Sequence, residues 1–259
     1  MENHGYADVV GSSAAPYLNS LAAACGLATD YHNITHPSLP NYIGATSGLG
    51  LAALAPFRSD CEPSASCSTS GASIFSQVPS SRAYEDSMPS PCDRHSAGRY
   101  AARHNPPVYF TSLAGCAQRD VPLAQLSGDL ARDALPGFAF ITPNLCHDAH
   151  DCSLSAGDRW LSAEVPRILD SPAYRAGHTA LFITWDEGEG SGGTDCATSP
   201  ADPGCRVATV VVSPSTPRGV RVPQRFTHYS LLRTAEDLLG VQPLGQARSA
   251  SSMARPFGL

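Results

Sequence analysis

A single serine stands between two prolines near the start of the chain, in the segment THPSLPNY. Ser38 follows Pro37 and precedes Pro40, where a β-branched stretch gives way to small, helix-compatible residues. A serine at a helix N-terminus lies beside free backbone N–H groups, which favour an anion such as phosphate. The structural alternative is that Ser38 only caps the helix. The polar neighbours His36 and Asn41 favour a nucleophile, which a base or a metal must activate.

Two carboxylates follow the most apolar stretch of the chain, in the segment FITWDEGEG. Asp186 and Glu187 would stand at the end of a strand, where adjacent carboxylates can hold a hard cation. Acidic residues are also common in solvated turns that have no function. The hypothesis of a metal site therefore depends on which other side chains lie near this pair.

A dense cluster of ligand-type side chains lies in the segment PNLCHDAHDCS. Its members are His147, Asp148, His150 and Asp151. Histidine and carboxylate at this density indicate a metal site or an acid–base site. The structural alternative is a polar surface loop closed by a Cys146–Cys152 bridge. His104 and His228 lie at other predicted element boundaries, and the whole set in one chain favours a single site.

Apolar strands alternate with helical segments along the chain. The pattern predicts strands at 28–35, 107–112, 137–144, 178–188 and 206–214, and helices at 13–26, 39–50, 155–171 and 228–240. This alternation predicts an α/β fold, a three-layer α/β/α sandwich around a largely parallel central sheet. Residues 57–105 are interpreted as a loop-rich excursion that carries disulfides and one helix near 73–78. The tail from 241 is predicted to be loosely ordered, and residues 1–259 are expected to form one domain.

The candidate polar groups follow the predicted strands, at the sheet edge where ligands bind in such folds.

Bulk composition excludes some other functions. The net charge is -6, with no long block of one sign, which argues against nucleic-acid binding. No apolar run approaches the roughly 18 residues of a membrane helix, so we expect no transmembrane segment.

Nine cysteines lie mainly in polar loops, which favours disulfides and an oxidising compartment. Zinc ligation by these cysteines is disfavoured because no CxxC pair occurs. Loop closure predicts the pairs Cys146–Cys152 and Cys196–Cys205, with Cys25 free. Four further cysteines could pair in three ways: Cys61, Cys67, Cys92 and Cys116. We therefore expect a secreted or periplasmic protein. The sequence contains no signal peptide, so we expect that a leader was removed or was never included.

A series of motifs runs through nearly the whole chain in a fixed order. They are MENHGYADVVG, THPSLPNYIGATSG, YEDSMPSPC, YAARHNPP, PNLCHDAHDCS, FITWDEGEG and THYSLLRTAEDLLG. Together they resemble the phosphoesterase family of secreted bacterial acid phosphatases and phospholipases C, in the alkaline phosphatase superfamily. The likeness is strongest to its mycobacterial branch, which acts on phosphoinositides. The resemblance implies an alkaline-phosphatase-like sandwich, hydrolysis of phosphate esters and one divalent metal ion.

The resemblance also implies roles for individual positions. Glu2 and Asn3 match an acidic–Asn pair that binds the metal, and Asp186 matches the second carboxylate ligand. Ser38 matches the nucleophile, which is itself a metal ligand. The metal could be calcium, magnesium, manganese or zinc.

Further polar groups are expected to face the phosphate or the leaving oxygen. The catalytic candidates beside Ser38 are His104, His150 and His228, and the substrate-binding candidates are Asn41, Asn144, His147 and Glu187. For Asn41 the alternative is that it supports the turn. Relatives vary around His147, Asp148 and Asp151, so these three match less strictly.

The N-terminus departs from the pattern of the family, which has an apolar strand directly before the Glu–Asn pair. No such strand precedes Met1 in this sequence. We therefore expect a missing central strand and a frayed terminus that carries Glu2.

The expected activity is metal-dependent phosphomonoester hydrolysis through a phosphoserine, with His150 or His228 protonating the leaving oxygen. The substrate would be a small phosphorylated molecule, with phosphoinositides and other phospholipid head groups as candidates. One alternative is a phosphodiesterase of the phospholipase C type. Another is an inactive binding protein that lacks the first strand. Sulfatase activity is disfavoured because the chain has no C-x-P-x-R motif.

Overall fold

The chain folds into two β-sheets with helices packed against them, and the computed structural model describes residues 1–259. The strands are β1 Gly26–His32, β2 Ser81–Glu85, β3 Asp120–Pro122, β4 Phe138–Thr142, β5 Leu181–Thr184, β6 Thr209–Val212 and β7 Val220–Thr227. The α-helices are α1 Tyr6–Val9, α2 Pro16–Ala24, α3 Ser38–Ser47, α4 Leu51–Leu54, α5 Ile74–Gln77, α6 Cys116–Arg119, α7 Ala124–Ala131, α8 Leu154–Leu169, α9 Pro172–Arg175, α10 His228–Leu239 and α11 Ala254–Phe257. Short 3₁₀ helices span Ala55–Phe57, Ala102–His104, Pro106–Tyr109, Pro203–Cys205 and Gly245–Arg248.

The larger sheet has the strand order β5-β6-β1-β7, and the smaller sheet has the order β3-β2-β4. Strand β6 runs antiparallel to both of its neighbours, whereas β1 and β7 are parallel. Both pairings of the smaller sheet are parallel. The predicted α/β class is confirmed. The strands form two sheets instead of one central sheet, and most of the strand pairings are parallel.

Most of the predicted elements are present with shorter bounds. The predicted strands at 28–35, 137–144, 178–188 and 206–214 correspond to β1, β4, β5 and β6, although β1 begins two residues earlier than predicted. Four predicted helices correspond to α2, α3, α8 and α10, and the short helix near 73–78 is α5. The prediction missed β2, β3 and β7. Strand β7 contains Pro223, which is tolerated because β7 lies at a sheet edge, where a missing N–H breaks no ladder.

Three sequence predictions about local structure are wrong. The expected strand at 107–112 begins instead as the 3₁₀ helix Pro106–Tyr109, because two adjacent prolines cannot donate to a strand ladder. The excursion at 57–105 is not irregular throughout, since it contains the central strand of the smaller sheet. The tail after 241 is ordered, because Met253 and Phe257 are fully buried in the larger core.

Two apolar clusters surround the elements that carry the polar side chains. The larger cluster lies around β1, β6, α2 and α8, and a second cluster lies around α3 and the 54–113 segment. Leu39 and Ile43 bury α3 in the second cluster completely. Helix α3 is therefore anchored in the second cluster.

Four disulfides are formed, and they settle the pairing. They are Cys61–Cys67, Cys92–Cys116, Cys146–Cys152 and Cys196–Cys205. Both pairs predicted from loop closure are confirmed, and Cys25 is free as expected. None of the helices combines the length and the apolar character that a bilayer crossing requires.

A buried carboxyl group lies at the start of β3. The Oδ2 atom of Asp120 accepts a hydrogen bond from the Asn105 amide at 2.9 Å, while its Oδ1 atom has no partner. Burial raises the pKa of Asp120 from 3.8 to about 7, against the opposing effect of the Asn105 hydrogen bond. The folded protein therefore keeps this proton at pH values where the unfolded chain has lost it. The free energy of unfolding must fall as the pH rises between these two pKa values, and this effect levels off above them.

We expect Asp120→Asn to remove this pH dependence. The amide keeps an acceptor for Asn105 and cannot ionise. The free energy of unfolding of the variant, taken relative to that of the wild type, should therefore rise by about 2 kcal/mol or more between about pH 4.5 and about pH 8. Urea unfolding of both proteins at the two pH values measures the gain. The exposed Asp133→Asn, in a left-handed conformation that Asn accepts, is the control. A difference between Asp120→Asn and the wild type that does not change with pH would contradict this assignment.

Candidate active site

The turn between β1 and α3 presents Ser38 at the first position of the helix, with its side chain buried. Asn41 fastens this turn. Its Oδ1 atom accepts the backbone N–H groups of Ile34 and Thr35 at 2.9 and 3.2 Å, and its Nδ2 atom donates to the carbonyl of Thr35 at 2.7 Å. Of the two expectations for Asn41, the geometry supports the turn.

The Ser38 hydroxyl lies among three carboxylates. It donates to Glu2 Oε2 at 2.9 Å, and Glu187 Oε1 lies 3.3 Å away. Asp186 is buried beside them, and neither of its oxygen atoms has a hydrogen-bond partner. Sequence analysis predicted these four residues to meet, and the structure brings them together from three distant parts of the chain.

The N-terminus is held in place, so the expectation of a frayed terminus is wrong. The amino group of Met1 donates to the Thr184 carbonyl at 3.3 Å, and the Met1 carbonyl accepts the Asp186 N–H at 3.0 Å. The Glu2 N–H donates to the Asp148 carbonyl at 2.8 Å, and the Glu2 side chain is fully buried. Backbone pairing with the end of β5 therefore replaces the support that the sequence lacked.

Asn3 follows Glu2 in a left-handed backbone conformation, with φ at 55°. Asparagine tolerates this conformation better than most residues do. The Asn3 side chain is only partly buried. It makes no hydrogen bond to the carboxylate cluster.

Burial strongly perturbs the acidic groups. It raises the pKa of Asp186 well above its usual range, and the charges of Glu2 and Glu187 add to the effect. Burial also raises the pKa of Glu187 to about 7, although the neighbouring His36 opposes this shift. A bound cation would offset the repulsion and engage the unpartnered oxygens of Asp186. Carboxylate and hydroxyl oxygens suit a hard divalent ion, so the residues present fit the expected metal.

A second set of ligand-type groups adjoins the first through Glu2. The Oε1 atom of Glu2 accepts a hydrogen bond from the Tyr42 hydroxyl and lies 3.5 Å from His104 Nε2. On its other side, His104 Nδ1 lies 3.4 Å from Asp148 Oδ2. The Tyr42 ring stacks on the His104 ring, and burial lowers the pKa of His104 to about 4. These side chains form a second group of potential metal ligands, made of Glu2, His104 and Asp148.

His228 begins α10 and uses both of its ring nitrogens inside the protein. Nε2 lies 2.5 Å from the Asp186 carbonyl, which can only accept, so Nε2 carries the proton. Nδ1 therefore accepts the Tyr31 hydroxyl hydrogen at 3.0 Å. Burial lowers the pKa of His228 to about 4. This geometry holds the backbone of Asp186 and leaves no free nitrogen for a leaving group.

His150 is more accessible than His228. Its Nδ1 lies 2.7 Å from Asp151 Oδ1, and its Nε2 accepts from the Arg103 guanidinium at 3.3 Å. Its ring centroid lies 5.9 Å from that of His104. Of the two histidines expected to protonate the leaving oxygen, accessibility favours His150, whose Nε2 would have to leave Arg103 and take up a proton before donating.

Asn144 and His147 organise a neighbouring loop. Asn144 Oδ1 accepts the backbone N–H groups of Cys146 and His147 at 3.0 Å, and its Nδ2 donates to Ser87. His147 Nδ1 lies 2.6 Å from Asp86 Oδ2. The structure does not bring either side chain into hydrogen-bond contact with the serine and its carboxylates. Their expected contacts with substrate stay a prediction.

Sequence analysis missed three residues around Ser38 and His150. Tyr42 lies one helical turn after Ser38, and this spacing could have indicated that it faces the same way. Asp60 accepts the backbone N–H of Leu39 at 2.9 Å, and Arg103 contacts His150. Asp60 and Arg103 come from the loop-rich excursion, whose sequence offers no periodicity from which their position could be read.

Solved structures define the class of fold. A protein of the alkaline phosphatase superfamily from Vibrio parahaemolyticus superposes with a TM-score of 0.65 at 12% identity, covering 99% of this chain and 70% of that one. The phosphonate monoester hydrolase of Agrobacterium radiobacter gives 0.59 at 13% identity, covering 100% and 76%. At this identity the likeness shows the fold alone, which is that of the alkaline phosphatase superfamily.

Sequence comparison defines the family within that class. Residues 8–242 match the model of the Phosphoesterase family, and the chain belongs to this family of phosphate ester hydrolases. The phosphatidylinositol-3-phosphatase of Mycobacterium tuberculosis is 27% identical over 261 residues, which cover 99% of this chain and 80% of that protein. The acid phosphatase of Aspergillus fumigatus is 26% identical over 264 residues. The chain covers 55% of that fungal relative, so it spans about half its length.

We expect His228→Gln to retain far more activity than His228→Ala. The glutamine amide can donate to the Asp186 carbonyl and accept from Tyr31, whereas alanine leaves both buried groups unpaired at a cost of about 1–3 kcal/mol each. Urea unfolding and the kcat for a phosphomonoester measure the two effects. Equal loss of kcat in both variants, with the His228→Gln protein fully folded, would instead make His228 the proton donor.

Proposed function

We propose that this chain is a metal-dependent phosphomonoester hydrolase that acts through a phosphoserine at Ser38. The supporting observation is the Ser38 hydroxyl itself. It lies at the N-terminus of a ten-residue helix, within hydrogen-bond distance of two buried carboxylates and beside the unpartnered Asp186. Such a group is a poor nucleophile alone, and its surroundings are those that activate one.

Glu2, Asp186, Glu187 and Ser38 would hold one divalent ion, with Asn3 as a further oxygen donor. When bound, the ion would supply positive charge that lowers the pKa of the serine hydroxyl and offsets charge on the phosphate. The oxygen-rich set favours magnesium or calcium. Participation of His104 would favour manganese or zinc.

The proposed hydrolysis has two displacement steps at phosphorus. The Ser38 oxygen attacks phosphorus, the ester P–O bond breaks, and the alcohol leaves with a proton. Water then attacks the phosphoserine and regenerates the hydroxyl with release of phosphate. The transition states are loose, so positioning and charge stabilisation dominate.

His150 is the preferred donor of the proton to the leaving alcohol. It is partly exposed, whereas His104 and His228 are buried. To donate, the Nε2 atom of His150 must first leave the Arg103 guanidinium and take up a proton. The Arg103 guanidinium beside it would attract the anionic substrate to this side of the site. A histidine that must be protonated to act favours turnover at acidic pH.

The substrate is proposed to be a small phosphomonoester, including a phosphoinositide head group. The name of the mycobacterial relative supports the head group, and the name of the fungal relative supports acid phosphatase activity in general. Four disulfides support a secreted or periplasmic location. We further propose that residues 1–259 act as one domain.

We expect Ser38→Ala to abolish hydrolysis of p-nitrophenyl phosphate, by about 10³-fold or more, because the covalent route is lost. Ser47→Ala is the matched control. Ser47 ends the same helix and donates only to the Ile43 carbonyl, so its loss should leave kcat nearly unchanged. Intact mass after acid quench should detect a phosphoryl group on the wild type alone. Near-normal turnover by Ser38→Ala would refute the phosphoserine.

We expect EDTA to remove the activity of the wild type and an added divalent ion to restore it, since three carboxylates are buried together around Ser38 and neither oxygen of Asp186 has a hydrogen-bond partner. Phosphate release with and without EDTA, followed by titration with Mg²⁺, Ca²⁺, Mn²⁺ and Zn²⁺, measures this. A phosphomonoester and a choline phospholipid are compared under the same conditions. Faster cleavage of the phospholipid would replace the monoesterase proposal with a phospholipase C-type activity.

A further inference from the structure

His36 lies between a carboxylate of the active site and a disulfide. Its Nδ1 atom contacts Glu187 Oε2 at 2.7 Å, and its side chain is 2% exposed. Its Nε2 atom lies 3.9 Å from the Sγ atoms of both Cys196 and Cys205. The imidazole therefore has a carboxylate at one edge and a covalent bridge at the other.

The loop that carries this disulfide reaches the site through the same turn. The Gly193 N–H donates to the His36 carbonyl at 2.8 Å, and the Cys196 N–H donates to the Ile34 carbonyl at 3.1 Å. Much of the loop between Glu187 and Cys205 is exposed to solvent. Its contacts with His36 are thus the route by which this surface loop touches the buried site.

The two carboxylate oxygens of Glu187 face different residues, one His36 and the other Ser38. Oε2 accepts from His36 and lies 3.4 Å from the Asn41 amide, while Oε1 lies 3.3 Å from the Ser38 hydroxyl. A carboxylate with one oxygen tethered in this way has only one orientation. Movement of the imidazole would therefore move the oxygen that faces Ser38.

We propose that His36 is a positioning residue for Glu187, and that the Cys196–Cys205 disulfide and Gly190 hold the imidazole in place. The surface loop 188–205 would in this way set the geometry around Ser38. The effect on turnover rests on the proposed function. The effect on the binding of a divalent ion by Glu187 is measured separately.

Two glycines of this loop provide a matched pair of probes. A Cβ atom added at Gly190 would lie 2.3 Å from His36 Nε2 and within 2.7 Å of two other ring atoms. The ring cannot yield easily, because Glu187 and the disulfide confine it. A Cβ atom added at Gly192 would meet nothing within 4 Å. Neither glycine has a positive φ, so alanine strains neither backbone and only Gly190→Ala pushes the imidazole.

We expect Gly190→Ala to lower kcat for p-nitrophenyl phosphate by about 10- to 100-fold with KM changed little, as when a partner that orients a ligand is displaced. Gly192→Ala should match the wild type. Mn²⁺ affinity, measured by titration calorimetry, should weaken in Gly190→Ala alone. Thermal unfolding of all three proteins verifies that they are folded at the assay temperature.

Two further comparisons separate positioning from general stability. His36→Asn keeps an N–H donor near the place of Nδ1, so it should exceed His36→Ala in kcat. Cys196→Ser with Cys205→Ser should lose turnover below its unfolding temperature. The same change at Cys92–Cys116, a bridge that touches none of the site residues, should lower stability but not kcat.

The outcomes distinguish this proposal from the proposed function. A wild type that binds Mn²⁺ but releases no phosphate would refute the phosphatase, and the calorimetry of the two glycine variants would still decide the role of His36. Equal kcat and equal Mn²⁺ affinity in Gly190→Ala and Gly192→Ala would overturn the positioning role. A loss in Gly190→Ala alone, with rescue by His36→Asn over His36→Ala, would establish it.

Discussion

The structure depends on the burial of three carboxylates around one serine hydroxyl. Glu2, Asp186 and Glu187 repel one another at short range in a water-poor interior, where such repulsion is stronger than at the surface. Isolated from the rest of the protein, this arrangement would spread apart or take up protons. A bound positive ion would relieve the repulsion, and without one the surrounding fold must hold the oxygens close to Ser38.

The fold supplies that restraint from several directions. Helix α3 is buried in its own apolar cluster, Asn41 closes the turn before it, and His228 holds the backbone of Asp186. The chain terminus pairs with the end of β5 and so places Glu2. Disulfides lie beside three segments of the site: Cys61–Cys67 follows Asp60, Cys146–Cys152 encloses the histidine-rich loop, and Cys196–Cys205 packs on His36. Covalent bridges thus replace apolar packing where the loops are too polar to form a core.

The α/β class, the exceptional setting of Ser38 and the acidic pair Asp186 and Glu187 could be predicted because their signals are local, whereas Glu2 was assigned only through the family resemblance. Ser38 is marked by its two prolines, and Asp186 and Glu187 by the apolar strand before them. Other predictions failed where a contact from elsewhere decides the outcome. The double proline at 106–107 prevents a strand, and Met253 and Phe257 order the tail by filling the larger core. Strand β2 was missed because its residues gain their partners only from β3 and β4.

The amino-acid sequence by itself determined which groups are available for chemistry, their order and the turns that present them, since these depend on residue type and on neighbours along the chain. Tertiary structure decided which groups meet and in what state. It joined Glu2 to Ser38, engaged both nitrogens of His228, turned Asn144 toward its own loop and placed His36 against a disulfide. The physical reason is that hydrogen-bond partners and desolvation come from residues far apart in the chain, and only folding brings these together.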